Sequence, residues 1–382
     1  MATPPPPLPP GWVLDQVVLL HRHGERSPVM EPFPDFPFVR SDGVRLCTRS
    51  DISRLRAGNG AYLVRYEDRE LEDGRCAAVQ LTDKGAATME MFGRRLRAHY
   101  GNQVPMTYGG SAVQVRSTEI ARAVYSSMSL LRGLFSDISS PIRIDVREER
   151  SEYLYPNFRT CPRFTHLTKQ RVKANRDANA TEEAAVRRIL APYINANMHV
   201  GMHALYDAVE CGRSHNVPVP PVVDDALVAR LEHLATRETW GHFHDDPQLC
   251  RLGSAKLLSS IADDVRDRAL GGPVQLALYS AHDSSIVALI GSFDIKDRTW
   301  PPFASSLAFE VMHKESAAGP TAAKKEAKKE AVVRLSFDGK TLVMPECGAY
   351  ADAATPELCP IQPFLKIMQG MVPKDLHAAC AM

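Results

Sequence analysis

The apolar run Val17-Val18-Leu19-Leu20, which breaks at once into His21-Arg22-His23-Gly24-Glu25-Arg26-Ser27-Pro28, constrains this chain more than any other segment. Consecutive branched aliphatics without alternation read as a strand buried on both faces, as found where helices cover both sides of a sheet. Buried strands of open α/β sheets deliver ligand-binding groups just past their carboxyl ends. The groups delivered here are a histidine and two arginines that flank it. Guanidinium forks match the planar, bidentate geometry of phosphate oxygens, so the ligand expected is a phosphoryl group. Gly24 lets the backbone approach that ligand closely, and Pro28 stiffens the exit from the turn.

Two distant stretches repeat the pattern of a strand that ends in polar chemistry. Gln275-Leu276-Ala277-Leu278-Tyr279-Ser280-Ala281, set off by Gly271-Gly272-Pro273, reads as a second buried strand. It runs into His282-Asp283-Ser284-Ser285 and then the helix-like Ile286-Val287-Ala288-Leu289-Ile290, for which Asp283 or Ser284 is a natural N-cap. Val113-Gln114-Val115-Arg116 alternates like a short strand. Behind it, Ile120, Ala121, Val124, Met128 and Leu131 recur at helical spacing, with Ser117 or Thr118 as the expected cap. Arg116 is thereby expected at a helix N-terminus, where amide groups and dipole favour an anion.

Arg22-His23-Gly24-x-Arg26-x-Pro28 resembles the signature of the histidine acid phosphatases, the acid-phosphatase and phytase branch of the histidine phosphatase superfamily. His282-Asp283 resembles the family's second motif, and Arg116-Ser117-Thr118-Glu119 its Arg-Ser-Thr-Asp segment. Fainter echoes are Leu81-Thr82-Asp83-Lys84-Gly85 opening an amphipathic helix, Leu252 to Leu258, and the turn Trp300-Pro301-Pro302-Phe303-Ala304. The resemblance covers roughly 11–140 and 245–370. It implies an α/β fold with a mixed central sheet flanked by helices, of the phosphoglycerate-mutase-like kind, and an inserted, mainly helical cap subdomain. It also implies His23 as nucleophile, Asp283 as general acid, and Arg22, Arg26, Arg116 and His282 as phosphate-binding residues. No cofactor and no metal are implied.

The chain length of 382 exceeds what one core usually serves, which fits a split catalytic core over 11–144 and 247–382 with the cap at 145–246. Thr181-Glu182-Glu183 reads as a capped helix start within that cap. Residues 1–10 are proline-rich, with neither a basic region nor an apolar one of signal-peptide type, and are expected to be a flexible tail. A formal net charge of +1 speaks against nucleic acid as a partner, and no apolar run is long enough for a membrane span. The expected partner is a small phosphomonoester; the oligomeric state is not legible.

Eight cysteines (Cys47, Cys76, Cys161, Cys211, Cys250, Cys347, Cys359, Cys380) include no Cys-x-x-Cys pair, so a zinc site is not expected. Cys347 and Cys359 resemble a cysteine pair near the family's C-terminus that closes a small loop. The lack of an export signal, by contrast, predicts reduced thiols and a cytoplasmic protein. His242-Phe243-His244-Asp245-Asp246 has metal-ligand residue types, but nothing fixes three of them as ligands. Arg40, Arg45, Arg49, Arg54, Arg56 and Arg65 form a basic insertion after the catalytic turn, read as a solvated loop. The low-complexity stretch within 314–331 reads as a solvated excursion at a hairpin tip, between strand-like Leu307 to Val311 and Val332 to Phe337.

The chemistry implied is phosphate monoester hydrolysis. Arg22, Arg26, Arg116 and a protonated His282 neutralise the phosphate, and His23 attacks to give a phosphohistidine. Asp283 protonates the leaving alcohol and then activates water, which acid pH assists by keeping that carboxyl protonated. Phosphoryl transfer to another acceptor, as in the mutase-like branch, does not fit Arg26, Pro28 and the His282-Asp283 pair. A non-catalytic phosphate-binding module does not fit an intact nucleophile and acid. Broad phosphomonoesters rank first as substrates, lysophosphatidate second and inositol phosphates third.

Overall fold

The computed structural model describes residues 3–36, 38, 79–103, 111–135, 142–156, 158–297, 299–315 and 331–382. The arginine-rich insertion, Cys47, Cys76 and the lysine-rich tip of the 314–331 stretch lie outside the described residues.

The core is an eight-stranded mixed sheet built around β1 (Trp12–Arg22), β2 (Val113–Thr118) and β4 (Leu276–Ala281). β4 lies between β1 and β2, parallel to both, and β3 (Asp145–Arg147) extends the parallel half beyond β2. On the other side of β1 the sheet turns antiparallel through β5 (Ser306–Lys314) and β6 (Val332–Phe337). β7 (Lys340–Leu342) and β8 (Leu358–Pro360) both pair with β6. The expected hairpin on either side of the low-complexity stretch is thus present.

β1 is buried on both faces, as its unbroken apolar run requires. Val17 and Leu19 pack with α1 (Asp83–Tyr100) and α2 (Ala121–Leu134) through Met89, Phe92, Leu130 and Leu134. Val18 and Leu20 pack on the opposite face, with α7 (Pro247–Ala269), α8 (Asp283–Ser292) and α9 (Ile361–Met371). α1 and α2 cross at two glycines. A Cβ on Gly93 would lie 2.0 Å from the Leu130 carbonyl oxygen, and one on Gly133 would lie 1.9 Å from that of Glu90.

The cap is helical, as expected: α3 (Pro162–Leu190), α4 (Met202–Ser214), α5 (Asp225–Thr239) and the short α6 (Gly241–His244). Its own core includes Phe164, Val186, Leu205, Leu231 and Leu234, and continues into Val287 and Ala288 of α8. Thr181 is not a helix start. It lies inside the 29-residue α3, whose start is marked by a proline in the first turn. Residue 145 also opens β3 of the sheet, so the helical part of the insertion begins only at Pro162.

The proline-rich N-terminal segment does not behave as a flexible tail from Thr3 onward. Pro5 is buried, and Arg334 donates to the carbonyls of Pro6 at 2.7 Å and Pro7 at 2.8 Å. Proline carbonyls have no amide partner of their own in such a segment, so a buried guanidinium satisfies them. Arg334 in turn is paired with buried Glu310 at 2.7 Å, and Glu310 accepts from Tyr100 Oη at 3.2 Å.

Reduced thiols are not what the structure has at four of the cysteines. Cys347–Cys359 are joined, as the resemblance implied, and so are Cys161–Cys380, which ties α10 (Leu376–Cys380) to the start of α3. Cys211 and Cys250 are free and buried.

Candidate active site

Arg22 and Ala281 are in register across the parallel pair β1 and β4, so His23 and His282 leave neighbouring strands at the same level. Their ring centroids are 5.6 Å apart. β2 ends beside them at Thr118, whose Oγ1 is 3.0 Å from His282 Nε2. The end of the parallel half-sheet thus brings three motif segments, far apart in sequence, to one place.

His23 is buried, and its Nδ1 lies 2.9 Å from the Gly24 carbonyl oxygen. A carbonyl only accepts, so Nδ1 carries the proton and the lone pair is on Nε2. Burial first, then Arg122, Arg22, Arg26 and His282, hold its pKa well below 6.5. The turn that carries it needs Gly24: a Cβ there would lie 2.4 Å from the Gly85 carbonyl oxygen at the start of α1. The Gly24 N–H donates to Ser126 Oγ of α2 at 3.0 Å. Thr82 caps α1 as expected, accepting from the Gly85 N–H at 3.1 Å.

Arg22 donates to the Pro301 carbonyl at 2.5 Å and pairs with Asp283 at 2.9 Å. Its guanidinium lies 4.3 Å from the centre of the Phe303 ring, and that of Arg26 5.7 Å. The turn 300–304 is therefore a wall of the site, further fixed by the Ala304 N–H donating to the His23 carbonyl at 2.9 Å. Arg26 makes a two-pronged bond to Asp207 of α4, at 2.7 and 3.1 Å. A third Asp207 contact, from the Val29 N–H at 2.8 Å, anchors the turn after His23 to the cap.

Asp283 is the first residue of α8, with His282 as N-cap, so neither Asp283 nor Ser284 is the cap. Burial pushes the Asp283 carboxyl up, but Arg22 and Arg26 outweigh it and hold it below the ordinary carboxylate range. In the free site Asp283 is therefore favoured as the carboxylate paired with Arg22. His282 is likewise not an imidazolium. Burial, followed by Arg122, lowers its pKa to about 3 against the favourable field of Asp283. Acid and histidine both await the charge of a ligand.

Arg116 stands apart from the cations that act on His23. It pairs with buried Glu152 at 3.0 Å, and its guanidinium lies 4.4 Å from the centre of the Tyr153 ring. The strand runs on to Thr118 and α2 starts at Ala121 behind an Ile120 N-cap, so Arg116 is two residues below the rim rather than at a helix terminus. The arginine brought to the site from this segment is Arg122, in the first turn of α2. It acts on His23 and His282 more than any other charge does. The sequence signal for Arg122 is its place in the first turn of α2, the helix end at which an anion was expected.

Several donors here are shielded from water yet have no hydrogen-bond partner among the described residues: Nε of Arg22, Arg26 and Arg122. Unmatched buried donors are costly, and a cluster of them around one histidine suits a multiply charged oxyanion. Of the histidine-rich loop leaving the cap, Asp245 pairs with Arg237 at 3.0 Å and Asp246 caps α7; the side chains of His242 and His244 lie outside the described residues.

Known proteins resemble this chain along most of its length. Lysophosphatidic acid phosphatase type 6 of Homo sapiens is 29% identical over 394 residues, covering 96% of this chain and 86% of that protein. Prostatic acid phosphatase of Bos taurus is 24% identical, covering 96% and 87%. Among solved structures, the apo form of Hafnia alvei phytase superposes with a TM-score of 0.66 at 14% identity, covering 98% of this chain and all of that one, and so shares the fold. Residues 13–338 match the histidine phosphatase superfamily (branch 2), and the chain belongs to that family.

Proposed function

We propose that the protein hydrolyses phosphate monoesters at acid pH through a phosphohistidine on His23, without a metal or cofactor. The observation that carries this reading is the neutral, Nδ1-protonated His23 among partnerless guanidinium donors. An imidazole with an ordinary pKa near 6.5 would be protonated in acid and unable to attack. His23 keeps its lone pair because burial and three arginines oppose a second proton.

The monoester phosphate is held by Arg22, Arg26 and Arg122, with His282 as a further phosphate-binding residue. Its negative charge competes for Arg22 and raises the affinity of Asp283 for a proton. His23 Nε2 forms a bond to phosphorus as the ester P–O bond breaks, and the leaving oxygen takes the proton of Asp283. Water then attacks phosphorus and gives a proton back to Asp283. The P–N bond breaks, releasing inorganic phosphate and neutral His23.

The test is hydrolysis of p-nitrophenyl phosphate from acid to neutral pH with chelator present. Activity is expected to peak in acid, to ignore chelator and to vanish in His23→Ala. Activity that survives His23→Ala overturns the mechanism. A narrower reading, lysophosphatidate as substrate, is supported by the name of the Homo sapiens relative and by the aromatic cluster next to Pro301. There Trp300 meets Tyr206 at 5.2 Å and Trp240 at 5.5 Å. It requires lysophosphatidate to surpass both p-nitrophenyl phosphate and inositol hexakisphosphate in kcat/KM.

A further inference from the structure

The proposed mechanism makes no use of His215, yet this buried residue joins the cap to the catalytic turn. It follows α4 directly, and its Nε2 is 2.8 Å from Thr82 Oγ1, the N-cap of α1. Thr82 holds the catalytic turn with two hydrogen bonds to one carbonyl. Its N–H donates to the Glu25 carbonyl at 3.0 Å, and its hydroxyl donates to the same oxygen at 3.1 Å. Next to it, Leu81 bridges Arg26, and the Ser27 N–H donates to the Gln80 carbonyl at 2.9 Å. The segment 80–82 is thus the strand-like partner of the turn that aims Arg26, and His215 presses on its end from the cap.

The protons in this chain of contacts can be counted. Thr82 Oγ1 has one proton, given to the Glu25 carbonyl, and it already accepts from the Gly85 N–H at 3.1 Å. With that proton on the Glu25 carbonyl, the contact from His215 Nε2 is complete only when Nε2 is a donor. On the other side of the ring, Nδ1 lies 2.8 Å from the Cys211 carbonyl oxygen and 3.0 Å from Ser214 Oγ, whose own proton goes to the Cys211 carbonyl at 3.0 Å. That side also requires a donor. Both ring nitrogens carry protons only in the imidazolium.

We infer that His215 is a positioning residue for the phosphate-binding turn, one that clamps cap to core fully only when doubly protonated, so that the site is best assembled in acid. The charged groups facing it are the Glu25 carboxylate from the catalytic turn, which favours the imidazolium, and the Lys84 ammonium from α1, which opposes it. The Phe38 ring, edge-on at 4.9 Å, and the Cys211 and Ser214 contacts complete its surroundings among the described residues. Burial, the largest influence, lowers its pKa below 6.5, so the clamp closes on the acid side of neutrality. A neutral ring gives up one of the two bonds, and the turn that carries Arg26 loses support from the cap.

This inference rests on the proposed phosphatase activity, and the experiment separates the two. Wild type, His215→Phe, His215→Gln and Thr82→Val are compared for kcat and KM on p-nitrophenyl phosphate across pH. A wild type without activity counts against the phosphatase reading itself. With activity present, wild type is expected to exceed His215→Phe by about tenfold in kcat/KM in acid, narrowing to about twofold near neutrality, because the clamp is half open there already. His215→Gln, whose amide donates to Thr82 without titrating, is expected to recover part of the loss at every pH. A wild-type to His215→Phe ratio that does not change with pH, or that stays at one, overturns the inference. Should His215→Phe not fold, the ring is read directly in the wild type by nitrogen NMR. Titration to a doubly protonated, hydrogen-bonded imidazolium within the active pH range supports the clamp, and a ring that stays neutral there overturns it.

Discussion

Burial is what turns a histidine into a usable nucleophile in acid, and the same burial sets a cost on the fold. His21 is wholly buried with its pKa lowered to about 4, and His282 is lowered to about 3. The unfolded chain binds protons at these rings from about pH 6.5 downward while the folded one does not, so stability is complete above 6.5 and is lost as pH falls toward 4. For His21 alone the loss amounts to roughly 3 kcal/mol. His21→Asn, which keeps a donor toward the Arg22 carbonyl, is expected to flatten the acid slope of Tm; an unchanged slope contradicts the assignment. The two arginines of the β2–α2 segment are separable in the same spirit. Arg122→Ala is expected to lower kcat/KM by about 100-fold or more with little change in Tm, as loss of an oxyanion donor does. Arg116→Ala strands buried Glu152 and is expected to lower Tm first. At this scale the placement of a side chain was legible where a motif sits on a strand end, as for the positions of His23 and Asp283. The sequence misled at Arg116 because a residue two places earlier in a strand lies about 6–7 Å below the rim.

Secondary-structure elements were legible where the apolar pattern was unambiguous: β1 and β4 as buried runs, Thr82 as a cap. What no local pattern reveals is how the cap meets the core. Asp207 is 181 residues from Arg26, in a cap helix that carries no motif, yet it fixes the orientation of that guanidinium with both carboxylate oxygens. Asp207→Ala leaves a buried arginine without its counter-charge, a change that costs about 3–5 kcal/mol in comparable sites. The expected outcome is a lower Tm together with a raised KM for p-nitrophenyl phosphate. Asp207→Asn, which keeps part of the hydrogen bonding, is expected to fall between the two proteins in both measurements. A KM that stays at the wild-type value would show that Arg26 does not need this partner.

For the whole molecule, the covalent links matter most. Cys161–Cys380 spans 219 residues and Cys347–Cys359 spans 12. On the chain-entropy account the longer link constrains the unfolded state by about 5 kcal/mol and the shorter by about 3. Paired Cys→Ser replacement of Cys161 and Cys380 is thus expected to lower Tm more than replacement of Cys347 and Cys359, and strong reductant to lower it by more than either. Equal Tm values with and without reductant would mean that neither link supports the fold. The shorter link was foreshadowed by resemblance. The longer one was not, because its partners belong to the cap and to the last helix and nothing in their spacing relates them.

One further consequence belongs to the crossing of α1 and α2 at Gly93 and Gly133. With bare backbone seated in backbone, neither helix can slip along the other without first being lifted clear, so the joint is keyed as a bolt is in its slot. The amino end of α1 props the turn bearing His23, and the first turn of α2 bears Arg122. The placement of the His23 turn relative to Arg122 is therefore tied to the two carbonyl oxygens at this crossing.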